Sequence, residues 1–178
     1  MIASRPIPHR LATISAVALL LGFLIVTVHA ASPGAWVTDP FSRCRVLNPH
    51  PTPHETVAWS GGCERGLAQG RGTVQWLRDN VAFEKDEGEW HEGRQIGRGI
   101  QEWPGGRYEG ELVDSEPSGQ GVLTLRGQRY EGVFRNGKPN GAGTLKTLTE
   151  VFQGNWKDGC FSDGKRKAAV VVPSSSCL

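Results

Sequence analysis

The chain is poor in the residues from which most active sites are built. It has five histidines, and beyond residue 30 only His50, His54 and His91 remain, scattered along the sequence. No Cys-x-x-Cys occurs among its four cysteines, so the spacing of a zinc site is missing. No serine or cysteine sits in a recognisable nucleophile motif, and no Gly-x-Gly pair extends to Gly-x-Gly-x-x-Gly. Gly132-Val-Phe-Arg-Asn-Gly137-Lys138 begins like a phosphate loop, but Pro139 stands where the magnesium-binding hydroxyl belongs. Charge of one sign is also in short supply. Residues 1–30 hold two of the 20 basic side chains and none of the 18 acidic ones, which leaves 18 of each in the remainder. Such a balance offers no basic face for nucleic acid. The sequence therefore nominates no catalytic residue, no metal ligand and no cofactor, and it reads as a non-enzyme.

Long apolar runs are lacking too, with one exception. After a basic opening with Arg5 and Arg10, Leu11 to Val28 carry no charge. Val28-His29-Ala30 then places small residues at the third and first positions before a cut at Ala30–Ala31, the layout of a secretory signal peptide over residues 1–30. The alternative is an uncleaved anchor, because residues 11–28 as a helix would span about 27 Å against a bilayer core of about 30 Å. Either reading puts the remainder outside the cytoplasm: in the periplasm or secreted space if cleaved, membrane-anchored if not. Residues 31–58 follow as an extended segment with Pro33, Pro40, Pro49, Pro51 and Pro53.

What the chain has in quantity is glycine at a fixed interval. Gly88, Gly110, Gly132 and Gly154 are 22 residues apart, and Gly61 precedes them with five extra residues in its spacer. Around them one pattern recurs. Its clearest copy is Tyr130-Glu-Gly132-Val-Phe134, Asn136-Gly137, Gly141-Ala-Gly143. Tyr108-Glu-Gly110-Glu-Leu112 stands before it and Phe152-Gln-Gly154-Asn-Trp156 after it. On a strand of period two, both aromatics and the glycine point to one face. Asn136-Gly137 and Asp158-Gly159 supply the positive φ of tight hairpin turns. Each unit reads as two short antiparallel strands, too little to be stable alone, so units must stack.

Tyr-x-Gly-x-(Trp/Phe), followed by Gly-x-Gly, resembles the MORN repeat, of an exported bacterial type. The likeness covers residues 59–164 and departs from the pattern at Asp86, in an aromatic's place, and at Ser115, in a turn glycine's place. It implies an all-β fold: a solenoid-like array of antiparallel hairpins, about four and a half in number, with a Pro-rich N-terminal cap over the first hairpin's open edge. It also implies a binding or scaffold role with a protein partner, the alternative being a membrane-associated module held by the uncleaved helix or contacting lipid. Cys44-Arg-Val-Leu-Asn-Pro…Trp59-Ser-Gly-Gly-Cys63 resembles the lead-in of secreted members, in which a cysteine pair brackets the first repeat. Of three connectivities, 44–177 with 63–160 is excluded in a straight array, because Cys63 and Cys160 would lie roughly 38 Å apart at 4.8 Å per strand. The favoured pairing is Cys44–Cys63 with Cys160–Cys177, a free Cys177 in residues 165–178 being the alternative to the second bridge.

Three expectations concern surfaces. The acidic run Glu84–Glu92 reads as a solvated rim, and its spacing matches no calcium loop. Glu109 and Glu111 fall opposite Tyr108 and Gly110, on a polar outer face. The columns Tyr108, Tyr130, Phe152 and Leu112, Phe134, Trp156 mostly stack between repeats, but form the candidate interaction face where exposed. Exposure should peak at Trp156, where no complete unit follows, for a partner or for end-to-end self-association. Ala168-Ala-Val-Val-Val172 could add a last strand.

Overall fold

A computed structural model describes residues 34–177, and the leader or anchor expected within residues 1–30 lies outside the described residues. Fourteen strands form the described fold. Three come from the proline-rich lead-in: β1 (Ala35–Thr38), β2 (Arg45–Asn48) and β3 (Glu55–Trp59). The array continues through β4 (Gly62–Glu64), β5 (Leu67–Arg78), β6 (Val81–His91), β7 (Arg94–Trp103), β8 (Gly106–Val113) and β9 (Glu116–Leu125). It ends with β10 (Gln128–Arg135), β11 (Lys138–Lys146), β12 (Val151–Lys157), β13 (Cys160–Ser162) and β14 (Lys167–Ala169). From β5 to β14 each strand pairs antiparallel with the next in sequence, the order that hairpin-by-hairpin stacking dictates.

The turns follow from local chemistry. Asn136 and Gly137 have φ of 49° and 72°, the double positive φ of a type I′ turn, whose twist matches the flanking strands. Ser115 takes a φ of 68° without being glycine. Its hydroxyl accepts the Gln95 N–H at 2.9 Å and its own N–H donates to the Gln95 carbonyl at 2.9 Å, which offsets the cost of the left-handed conformation.

Glycine stands opposite glycine across the sheet: Gly72 and Gly88, Gly110 and Gly121, Gly132 and Gly143, then Gly143 and Gly154. This column is where the aromatics lie. A β-carbon on Gly132 would fall 2.5 Å from the Gly143 α-carbon and 2.7 Å from the Tyr130 hydroxyl, so the ring rests on bare backbone. Units then lock through edge-to-face contacts, Tyr108 on Phe134 and Tyr130 on Trp156, both at 5.1 Å. Such a pair contributes about 0.5–1.5 kcal/mol beyond area burial.

Three details differ from the sequence expectation. The first repeat strand begins at Glu55, because β3 pairs with the far half of β5, Glu55 opposite Arg78. The lead-in does not cover the edge of β3 by strand pairing. The β1–β2 hairpin instead bonds to turns, Arg45 N–H to the Gly66 carbonyl at 3.0 Å and Leu47 N–H to that of Gly93 at 2.8 Å. The last strand, Lys167–Ala169, stops short of the valines. Val170 turns inward to the core and Val171 has a φ of 58°, incompatible with a strand.

Cys44 is joined to Cys63 and Cys160 to Cys177, with α-carbons 5.8 and 5.4 Å apart. The first bridge ties the lead-in to β4, and the second ties the tail to β13. Two such bonds fit an oxidising compartment.

Candidate interaction surfaces and a polar cavity

The six residues of the candidate interaction face, Tyr108, Leu112, Tyr130, Phe134, Phe152 and Trp156, are all buried in one cluster with Leu123, Leu145, Phe161 and Val170. They are the core, and an accessible aromatic face is not what this structure presents. Trp156, expected to be the most exposed, is 2% exposed. The short strand β13 brings Phe161 within 5.4 Å of its ring, and Val170 joins the same cluster, so the tail completes the last unit. Burial also holds the Tyr130 hydroxyl protonated, pushing it up to about 12.

The accessible repetitive surface is the opposite one. Along the outside of the glycine column run two shallow troughs of about 490 and 540 Å³. Arg71, Glu87, Glu89, Arg98 and Glu109 line the first over Gly72, Gly88, Gly99 and Gly110. Arg129, Glu131, Thr144, Gln153 and Asn155 line the second over Gly132, Gly143 and Gly154. Charges of both signs alternate here, as in the ion pair Arg129–Glu131 at 2.5 Å within the second trough. Exposed pairs like this one add little stability and leave the surface free to exchange partners.

A third feature lies on the inner side of the second unit. Asp86 occupies the register of Tyr108 and Tyr130, and the glycines beneath are covered by an amide instead of a ring. Gln95 Nε2 would lie 3.0 and 2.6 Å from β-carbons on Gly88 and Gly99. The smaller side chains leave a cavity of about 230 Å³, whose walls include Glu55, Trp76, Arg78, Phe83, Glu84 and Asp86. The Trp76 indole N–H donates to Asp86 Oδ2 at 2.7 Å, while Asp86 Oδ1 is buried with no hydrogen-bond partner among the described residues.

The electrostatics follow from burial. Desolvation, reinforced by Glu84, pushes the Asp86 carboxyl well above its ordinary range, against the bond from Trp76. Desolvation, with the Glu55 charge, pushes Glu84 up to about 7. Burial also raises Glu55, but hydrogen bonds from Thr52 and Arg78 outweigh it and hold that carboxyl below its usual value. The acidic run is therefore not a uniformly solvated rim. Glu89 and Glu92 are exposed, whereas Asp86 is 4% exposed because the even-numbered residues from Glu84 to Trp90 face inward.

The sequence expectations did not include this cavity, although its signals are visible in the chain. The five extra residues lengthen β5 and β6, so that Arg78 reaches Glu55 on β3 and Phe83 joins the cavity wall beneath the Arg78 guanidinium. Asp86 and Ser115, the two departures from the repeat, line the same space. The irregularities converge on one place in three dimensions while lying far apart in the chain.

Sequential antiparallel hairpins, stacked through a glycine column and an aromatic column, define a β-hairpin repeat protein. The three stretches 87–106, 108–127 and 130–146 match the MORN repeat family, and residues 87–146 of this chain are MORN repeats. No curated protein matches the chain. MORN repeats fit a non-catalytic module for binding or scaffolding.

Proposed function

We propose that the chain is a non-catalytic exported scaffold whose outer troughs receive a segment of another protein. The observation that carries this reading is the distribution of accessible surface. The aromatic columns are consumed by packing between units, whereas the troughs repeat along the glycine column and stay open. Disulfides at both ends brace the array as a platform in the periplasm or outside the cell. The partner meets backbone and alternating charge in place of an aromatic patch.

A photo-crosslinking residue placed at Arg98 or Glu131, inside the troughs, should yield a discrete adduct from the envelope fraction. The same residue at Leu148, exposed on the β11–β12 loop, serves as the control. Equal adducts from Leu148, or none from the trough positions, would count against the trough.

A further inference from the structure

We infer that the cavity beneath β6 is a binding site for an organic cation, an ammonium or guanidinium head on a short apolar stem. Four carboxyl residues line it: Glu55, Glu84, Asp86 and Glu116. The Arg78 guanidinium and the His50 imidazole face them, and both are engaged, Arg78 with Glu55 at 3.1 Å and His50 with Glu116 at 3.3 Å. Glu84 and Asp86 form no ion pair among the described residues, and Asp86 Oδ1 is a buried polar atom without a hydrogen-bond partner. A carboxyl oxygen buried without a partner is unfavourable in either protonation state, and a cation that displaces the proton supplies the missing donor.

The cavity already shows how it treats such a cation. The Arg78 guanidinium lies over the Phe83 ring at 4.4 Å, donates to Glu55 at 3.1 Å and to Thr52 Oγ1 at 2.9 Å. Carboxylate on one side and an aromatic face on the other is the recognition pattern of ammonium and guanidinium groups. Trp76, with its indole fixed to Asp86, supplies a second aromatic wall for the vacant carboxyls. A metal ion fits less well, because no trio of His, Cys, Asp or Glu among the described residues is arranged to hold one. At about 230 Å³ the space is smaller than the roughly 300–1,000 Å³ of a drug-sized site and suits a side chain or a small amine.

Binding exchanges charge for charge: the protonated carboxyl releases its proton to solvent as the cation arrives, leaving carboxylate against ammonium. Affinity therefore rises with pH, by up to about tenfold per pH unit while the carboxyl titrates. Glu55, Arg78, His50 and Glu116 are the other charged or titratable groups facing the site, from β3, β5, the loop after β2 and β9.

The Trp76 indole N–H resonance reports on the site directly. Titration with butylammonium should shift it saturably, more tightly at pH 8 than at pH 6, while 1-butanol of the same size leaves it in place. Asp86→Asn keeps an oxygen for the indole and should lower the affinity about ten- to a hundredfold; Glu84→Gln, farther from burial, checks that a folded variant behaves likewise. N-acetyl-lysine methylamide binding as well as butylammonium would assign the site to a partner's side chain, and binding of the free amine alone to a small metabolite. Saturation by butanol, saturation by calcium in place of the amine, or no shift with any probe would each overturn the proposal, the last meaning a water-filled cavity. The site lies on the opposite side of the sheet from the troughs. Trough crosslinks should survive Asp86→Asn, so either proposal can fail alone.

Discussion

Glu84 and Asp86 stand two residues apart on β6, and burial lifts both carboxyls. For Glu84 the folded value is about 7 against an ordinary 4.5. Between those two values the folded protein keeps a proton that the unfolded chain has released. The Glu84 contribution to stability therefore falls as pH rises through that window and levels off above about 7. Glu55 acts in the opposite sense, but its depressed value confines its effect to pH below 4.5. Keeping Glu84 ionised in the fold costs about 3 kcal/mol at most. Glu84→Gln should regain part of that at about pH 8 and flatten the decline in melting temperature between about pH 5 and 8. Identical pH slopes for the variant and the parent would show that Glu84 is solvated.

Among the elements, the lead-in hairpin depends most on a single link. Its parallel contact with β5 is one residue long, Arg45 opposite Leu67, and Cys44 is fully buried beside it. The Cys44–Cys63 bridge closes a sequence separation of 19 residues, which the chain-entropy account values at roughly 3 kcal/mol. Replacing both cysteines by serine should lower the midpoint of unfolding accordingly and open residues 34–66 to protease before the rest. A variant as stable and as resistant as the parent would mean that the turn contacts of β2 hold the hairpin alone. The tail acts in the same manner at the other end. Short β13 and Val170 close over Trp156, so a half-length unit buries its aromatics as well as a full one does.

At the scale of the whole molecule, the export reading rests on Leu11–Val28 and the small residues before Ala31. The chain recovered from the periplasm or medium should have the mass of a polypeptide beginning at Ala31. A full-length mass in the membrane fraction would establish the anchor instead. The hairpin array is legible in the amino-acid order itself, because period-two alternation, turn residues and a 22-residue interval act locally, and each unit repeats the same local instruction. The length of that array excludes one pairing of the four cysteines and the resemblance implies Cys44–Cys63, whereas the structure decided Cys160–Cys177 over a free Cys177. What the sequence left open was which side of the sheet is accessible. The alternation puts Tyr130 and Phe134 on one face and Glu131 on the other, but whether a face is covered depends on how far the sheet bends and what the tail does. Only the tertiary structure decided that the aromatic face closes on itself. It alone gathered Asp86, Ser115 and the extended β5–β6 hairpin into one cavity, because proximity between residues of different units is fixed by stacking and not by spacing along the chain.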